Sequence, residues 1–152
     1  MRKIVITGLG IVSCIGNDQL EVINSLKKLK SGITKAEEYS EYGFRSLVHG
    51  RPKISLEENI DRKILRFMGE GAGYNYIAMQ RAIEDSGLEE NDISNERTGI
   101  IVGSGGPSVR NLLKATDVAR EKGSRKIGPY MVTRTMSSTN SATLATPFKI
   151  KG

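Results

Sequence analysis

The chain has 152 residues, 38% of them hydrophobic and 26% charged, which gives a globular composition with enough length for a core and excludes the disordered and fibrous classes. Lys plus Arg number 23 against 17 Asp plus Glu, a net charge of +6, and this excess suggests an acidic partner without naming it. A single Cys excludes an internal disulfide, and together with a single His it excludes a Cys/His zinc cluster.

The opening run, Lys3 to Thr7, is short, β-branched and ended by Gly8. It is too short for a secretory signal or a membrane span, so the expected compartment is the cytoplasm, with no membrane partner. Apolar on both faces, it reads as a buried parallel strand, as does Gly99 to Val102 further on. Asn17 and Asp18 offer an N-cap with Glu21 in capping-box position, and Leu20, Ile23 and Leu26 follow at helical spacing up to Ser31-Gly32. Residues 33 to 58 are irregular and read as loop, with room for a hairpin between breakers at Gly43, Gly50 and Pro52. Residues 61 to 87 give the strongest helix, with Ile64, Met68, Ala72, Tyr76, Met79 and Ile83 in one stripe. Gly69, Gly71 and Gly73 interrupt it, which requires either very close packing or a break in two. Gly87 then stops it. A further helix runs from a Ser108 cap to Lys122, with Val109, Leu112, Leu113 and Ala119 facing inward, and the small residues between Met131 and Phe148 suit one tightly packed helix. Alternating strands and helices predict an α/β fold with a mixed, mainly parallel sheet covered by helices.

Several features invite a functional reading. The turn Gly8-Leu9-Gly10 lacks the third small residue of a dinucleotide fingerprint, because Ser13 stands there, and a tight turn out of a strand accounts for it. Gly103-Ser104-Gly105-Gly106-Pro107 lacks the Lys of a phosphate loop, so close backbone approach explains its glycines better than nucleotide binding. Arg62, Lys63 and Arg66 oppose the macrodipole at a helix start and do not stabilise that helix. With Lys122, Arg125 and Lys126 they suit an acidic protein or a phosphate. Only 5% of residues are aromatic and no nucleic-acid motif occurs, so nucleic acid is not the expected partner. Cys14 reads as a small buried hydrophobe and His49 as a loop residue, neither with a catalytic partner in sequence.

Taken together, VITGLGIVS at 5–13, SGIT at 31–34, IDRKILRFM at 60–68, GSGG at 103–106, GPYMVT at 128–133 and ATPFKIKG at 145–152 resemble the β-ketoacyl-[acyl-carrier-protein] synthases. The likeness is greatest to the synthase I branch of bacterial fatty-acid synthesis, and the segments stand in family order and spacing. It implies a thiolase-like fold, of which residues 1–152 form the N-terminal part. It also implies acyl transfer by decarboxylative Claisen condensation, run by a nucleophilic Cys and two His, with no cofactor and no metal. ATPFKIKG leads, in the family, into a strand and then that Cys, so no catalytic residue is expected within 1–152, and Cys14 and His49 match none of the three. The resemblance carries acyl-carrier-protein docking onto Arg62, Lys63 and Arg66. Lys122 and Arg125 align with further docking positions, and Lys126 is adjacent. Gly106 and Met136 match positions near the acyl pocket and dimer contact of a homodimer. Pro107 departs from the Gly of the family, and Asn140 matches no assigned position. Two alternatives stand beside this reading: a short non-catalytic protein that binds carrier protein, which rests on the same resemblance, and a nucleotide-binding α/β domain using the glycine turns.

Overall fold

The computed structural model describes residues 3–152. The chain divides into two compact units, Met1–Ser55 with Ala78–Ser86, and Leu56–Ile77 with Gly87–Gly152.

In the first unit, α1 (Gln19–Lys27) is capped by Asp18, whose carboxylate accepts the Glu21 backbone N–H at 2.8 Å. Glu21 returns a carboxylate to the Asn17 N–H at 2.7 Å, a capping box displaced by one residue. The face turned inward carries Val22 and Ser25, while Leu20, Ile23 and Leu26 remain exposed. The expected apolar stripe is therefore not the buried one. Ser25 is buried at little cost because its hydroxyl donates to the Ile15 carbonyl at 2.6 Å. The irregular region holds the hairpin: β1 (Ile33–Lys35) and β2 (Val48–Gly50) pair antiparallel, with Thr34 opposite His49. A short helix, α2 (Glu38–Glu41), lies between them.

Helix α5 (Glu70–Ser86) contributes its residues Ala78–Ser86 to this unit. The glycine turn runs against it. A Cβ at Gly10 would collide with the Ala78 carbonyl, so the turn is glycine because backbone meets backbone there. Leu9 N–H donates to the Asp85 carboxylate at 2.9 Å, which ties the turn down.

The second unit contains α3 (Leu56–Asn59), α4 (Arg62–Leu65), residues 70–77 of α5, α6 (Glu90–Ile93), α7 (Val109–Lys122), α8 (Met131–Thr135) and α9 (Thr139–Ala145). Its core is Ile60, Met68, Ala72, Ile77 and Leu144. The long helix breaks in two, between α4 and α5. At the break a Cβ on Gly69 would stand 2.7 Å from the Arg134 carbonyl oxygen and 3.1 Å from Ser108 Cβ, so break and close packing occur together. Gly87 and Gly123 end α5 and α7 with positive φ, as their positions imply. The single helix expected between Met131 and Phe148 is instead α8 and α9, parted at residues 136–138.

The sheet needs correction. Lys3 to Thr7 and Gly99 to Val102 form no ladder among the described residues, and Ile4, Ile6 and Ile101 are almost wholly exposed. A strand is stable only with a hydrogen-bonded neighbour and cover on its apolar faces. Neither run has them here, so the one sheet among the described residues is antiparallel, not mainly parallel. The apolar face of α7 is likewise uncovered: Val109, Leu112 and Leu113 are exposed.

Candidate functional site

The second unit gathers three of the predicted cations into one groove. Buried Ile60 anchors the approach to α4, and Asp61 caps it by accepting the Lys63 backbone N–H at 2.7 Å. A single turn then places Arg62 and Arg66 on one face, with Arg66 N–H donating to the Arg62 carbonyl at 3.2 Å. All three cations are exposed.

Sequence reasoning missed the facing wall. Tyr130 precedes α8, and Arg134 lies one turn on, its N–H donating to the Tyr130 carbonyl at 3.1 Å. Arg134 Nε donates to the Arg66 carbonyl at 2.9 Å. The Phe67 and Tyr130 rings meet edge to face, 5.0 Å between centroids and 82° between planes. The Arg66 guanidinium sits over both rings, 5.0 Å from Phe67 and 5.4 Å from Tyr130, within range of an attractive cation–π contact. The resulting groove, of about 660 Å³, is lined by Asp61, Arg62, Lys63, Leu65, Arg66, Tyr130 and Arg134. The sequence does hold a signal for the wall, an aromatic and an arginine at i,i+4, but nothing in it brings residue 130 to residue 67.

Lys122, Arg125 and Lys126 are exposed at the end of α7 and in the 3-10 turn Ser124–Lys126, and they do not line this groove. Gly106, Pro107 and Met136 line a second cavity of about 250 Å³, with Gly69, Arg134 and Asn140 also in its wall. The glycines at 103, 105 and 106 have open space beside them, so close backbone approach does not explain them. No positive φ requires glycine there either, and the turn is closed by the Ser104 hydroxyl, which donates to the Gly106 carbonyl at 2.9 Å. Asn140 is a structural tie. It is buried, donates to the Ser137 carbonyl at 2.8 Å and accepts from the Asn75 side chain at 3.2 Å.

Near the groove, burial raises the Tyr76 hydroxyl above the ordinary tyrosine value, and the Asp61 carboxylate adds to the rise. Tyr76 stacks on Phe148 at 5.0 Å. Cys14 is half-buried rather than fully buried, beside Gly32 and Gly50. His49 is held by an edge contact with the Tyr39 ring at 5.7 Å. Among the described residues no group of His, Cys, Asp and Glu is arranged to hold a metal, and no helix is long and apolar enough to cross a membrane.

The model of the N-terminal domain of β-ketoacyl synthases matches residues 1–152. The chain belongs to the β-ketoacyl synthase family. It is 52% identical, over 100% of its length, to 3-oxoacyl-[acyl-carrier-protein] synthase 1 of Haemophilus influenzae, of which it covers 38%. This synthase segment therefore spans well under half of the curated relatives it matches. A crystal structure of a β-ketoacyl synthase from Burkholderia phymatum superposes with a TM-score of 0.82 at 25% identity, over 100% of this chain and 38% of that one. A type II polyketide ketosynthase solved in complex with its acyl-carrier protein shares the fold, with a TM-score of 0.74 at 21% identity over 97% of this chain and 39% of that one. The described residues are thus the N-terminal portion of a thiolase-like fold. The sheet correction above concerns what is paired within this segment, not the fold it belongs to.

Proposed function

We propose that residues 1–152 belong to a cytoplasmic condensing enzyme that elongates acyl chains by decarboxylative Claisen condensation, and that the α4–α8 groove docks its acidic acyl carrier protein. The identity of 52% across the whole segment to a 3-oxoacyl-[acyl-carrier-protein] synthase carries this reading. The basic groove supports it, because a fixed cluster of cations steers and orients an acidic partner and weakens with salt. Lys122, Arg125 and Lys126 add to the field around that docking surface. The cavity at Gly106, Pro107 and Met136 serves the acyl pocket and the contact with a second copy.

The chemistry itself needs a thiolate and backbone donors for a developing oxyanion. We assign neither to this segment. Cys14 and His49 match none of the family's three catalytic residues, and we place the nucleophile and the two histidines in the rest of the full-length enzyme. Residues 1–152 alone are inactive in this account.

The test is a condensation assay with acyl- and malonyl-carrier protein. Full-length enzyme carrying Cys14→Ala is expected to keep its activity and still lose it on alkylation with iodoacetamide. Loss of activity in the Cys14→Ala enzyme, with folding intact, would contradict the assignment, and so would condensation by the 152-residue segment.

A further inference from the structure

The groove between α4 and α8 has an electrostatic imbalance of its own. Four cationic side chains, Arg62, Lys63, Arg66 and Arg134, line it against the single carboxylate of Asp61. That carboxylate is already engaged by the Lys63 backbone N–H. The neighbouring Glu70 carboxylate pairs with Arg110 on α7. Two guanidinium groups brought to one groove repel each other unless an anion neutralises them.

Two of the three guanidinium groups, those of Arg66 and Arg134, are nonetheless held in place. Arg66 is pinned over Phe67 and Tyr130. Arg134 spends only its Nε on the Arg66 carbonyl, which leaves its terminal nitrogens, a fork suited to a carboxylate, for another acceptor. Side chains ordered before binding lose less entropy on binding.

We propose that this groove is a carboxylate pocket: it takes one Asp or Glu side chain of the carrier protein between Arg66 and Arg134, with Tyr130 as the positioning residue that keeps Arg66 in place. The inference rests on the docking reading above and adds Arg134 and Tyr130 to it. The anion it selects is a single side-chain carboxylate on a folded acidic partner, because Leu65 and the Tyr130 ring give the groove an apolar floor that suits a side chain's methylenes.

The experiment measures the affinity of full-length enzyme for purified acyl carrier protein across a salt series. Arg134→Ala is expected to weaken binding about tenfold, as befits a lost charge-assisted hydrogen bond, and to flatten the salt dependence. Arg134→Lys is expected to restore the salt dependence but only part of the affinity. Tyr130→Phe is expected to bind as the parent does, and Tyr130→Leu to lose about threefold by releasing Arg66. A purely structural Arg134 would leave the salt dependence unchanged. Unaltered affinity and salt dependence in Arg134→Ala, while Arg62→Glu with Arg66→Glu abolishes binding, overturns the carboxylate pocket and leaves the docking reading standing. Unaltered binding in that double variant overturns both.

Discussion

The two basic clusters look alike in sequence and differ in what fixes them. Arg62, Lys63 and Arg66 sit on a capped turn, with Arg66 stacked on two rings and its carbonyl held by Arg134. Lys122, Arg125 and Lys126 ride on a helix end and a 3-10 turn, exposed and outside the α4–α8 groove. Cations near a helix C-terminus favour the macrodipole, so Lys122 has a structural reason to be where it is. Arg62 and Lys63 stand at a helix start, where cations are disfavoured, and the site is the better explanation of their presence. The comparison separates a charge that is aimed from a charge that only contributes to a field.

The largest stability effect should come from the joint that holds the aimed cluster. Gly69→Ala puts a methyl 2.7 Å from the Arg134 carbonyl oxygen, and the backbone must shift. We expect a loss of about 1–3 kcal/mol in denaturant unfolding, the usual size of an overpacking cost, together with weaker carrier-protein binding. No change in either would mean that the joint is loose and the contrast between the clusters overstated.

A smaller effect is expected at the second cluster. Lys122→Glu with Arg125→Glu should slow association with carrier protein by about three- to tenfold at low salt and leave dissociation unchanged, because exposed charges act through screened steering. Measured by stopped flow, the difference should vanish at high salt. A faster off-rate would place this cluster in direct contact and erase the distinction.

The smallest effect is a pH dependence near the aimed cluster. The Tyr76 pKa is raised, by burial first and Asp61 second, above the ordinary 10.0. Its native state therefore holds the proton more tightly than the unfolded chain does. That contribution to stability is complete below pH 10.0 and is lost as pH rises through the raised native value. Tyr76→Phe should remove the alkaline loss, read as melting temperature against pH. An unchanged alkaline slope would assign it to another group.

Much of the helical layout was legible from local pattern. The stripe from Ile64 to Ile83 marks the long helical stretch, Gly69 marks its break, and Gly87 and Gly123 mark stops, because these are decided by backbone and periodicity within a few residues. The breakers around His49 read as loop with room for a hairpin, and they do not set the β1–β2 pairing that forms there. Cover was not legible. Periodicity groups Leu20 with Ile23, and Val109 with Leu112, but does not say what lies against them, and all four stay exposed. The strand-like runs at Ile4 and Ile101 fail for the same reason, since β-branching states a preference while a ladder requires a partner. The groove was half legible. Its cations followed from the resemblance, but the Tyr130–Arg134 wall depends on a contact between residues far apart in sequence.

The most direct test of the account is the affinity of full-length enzyme for acyl carrier protein with and without Arg62→Glu plus Arg66→Glu. Reversing two aimed cations is predicted to weaken binding by about a hundredfold or more, with the fold intact by circular dichroism. Equal affinity of the variant and the parent would contradict the assignment of this groove as the docking site.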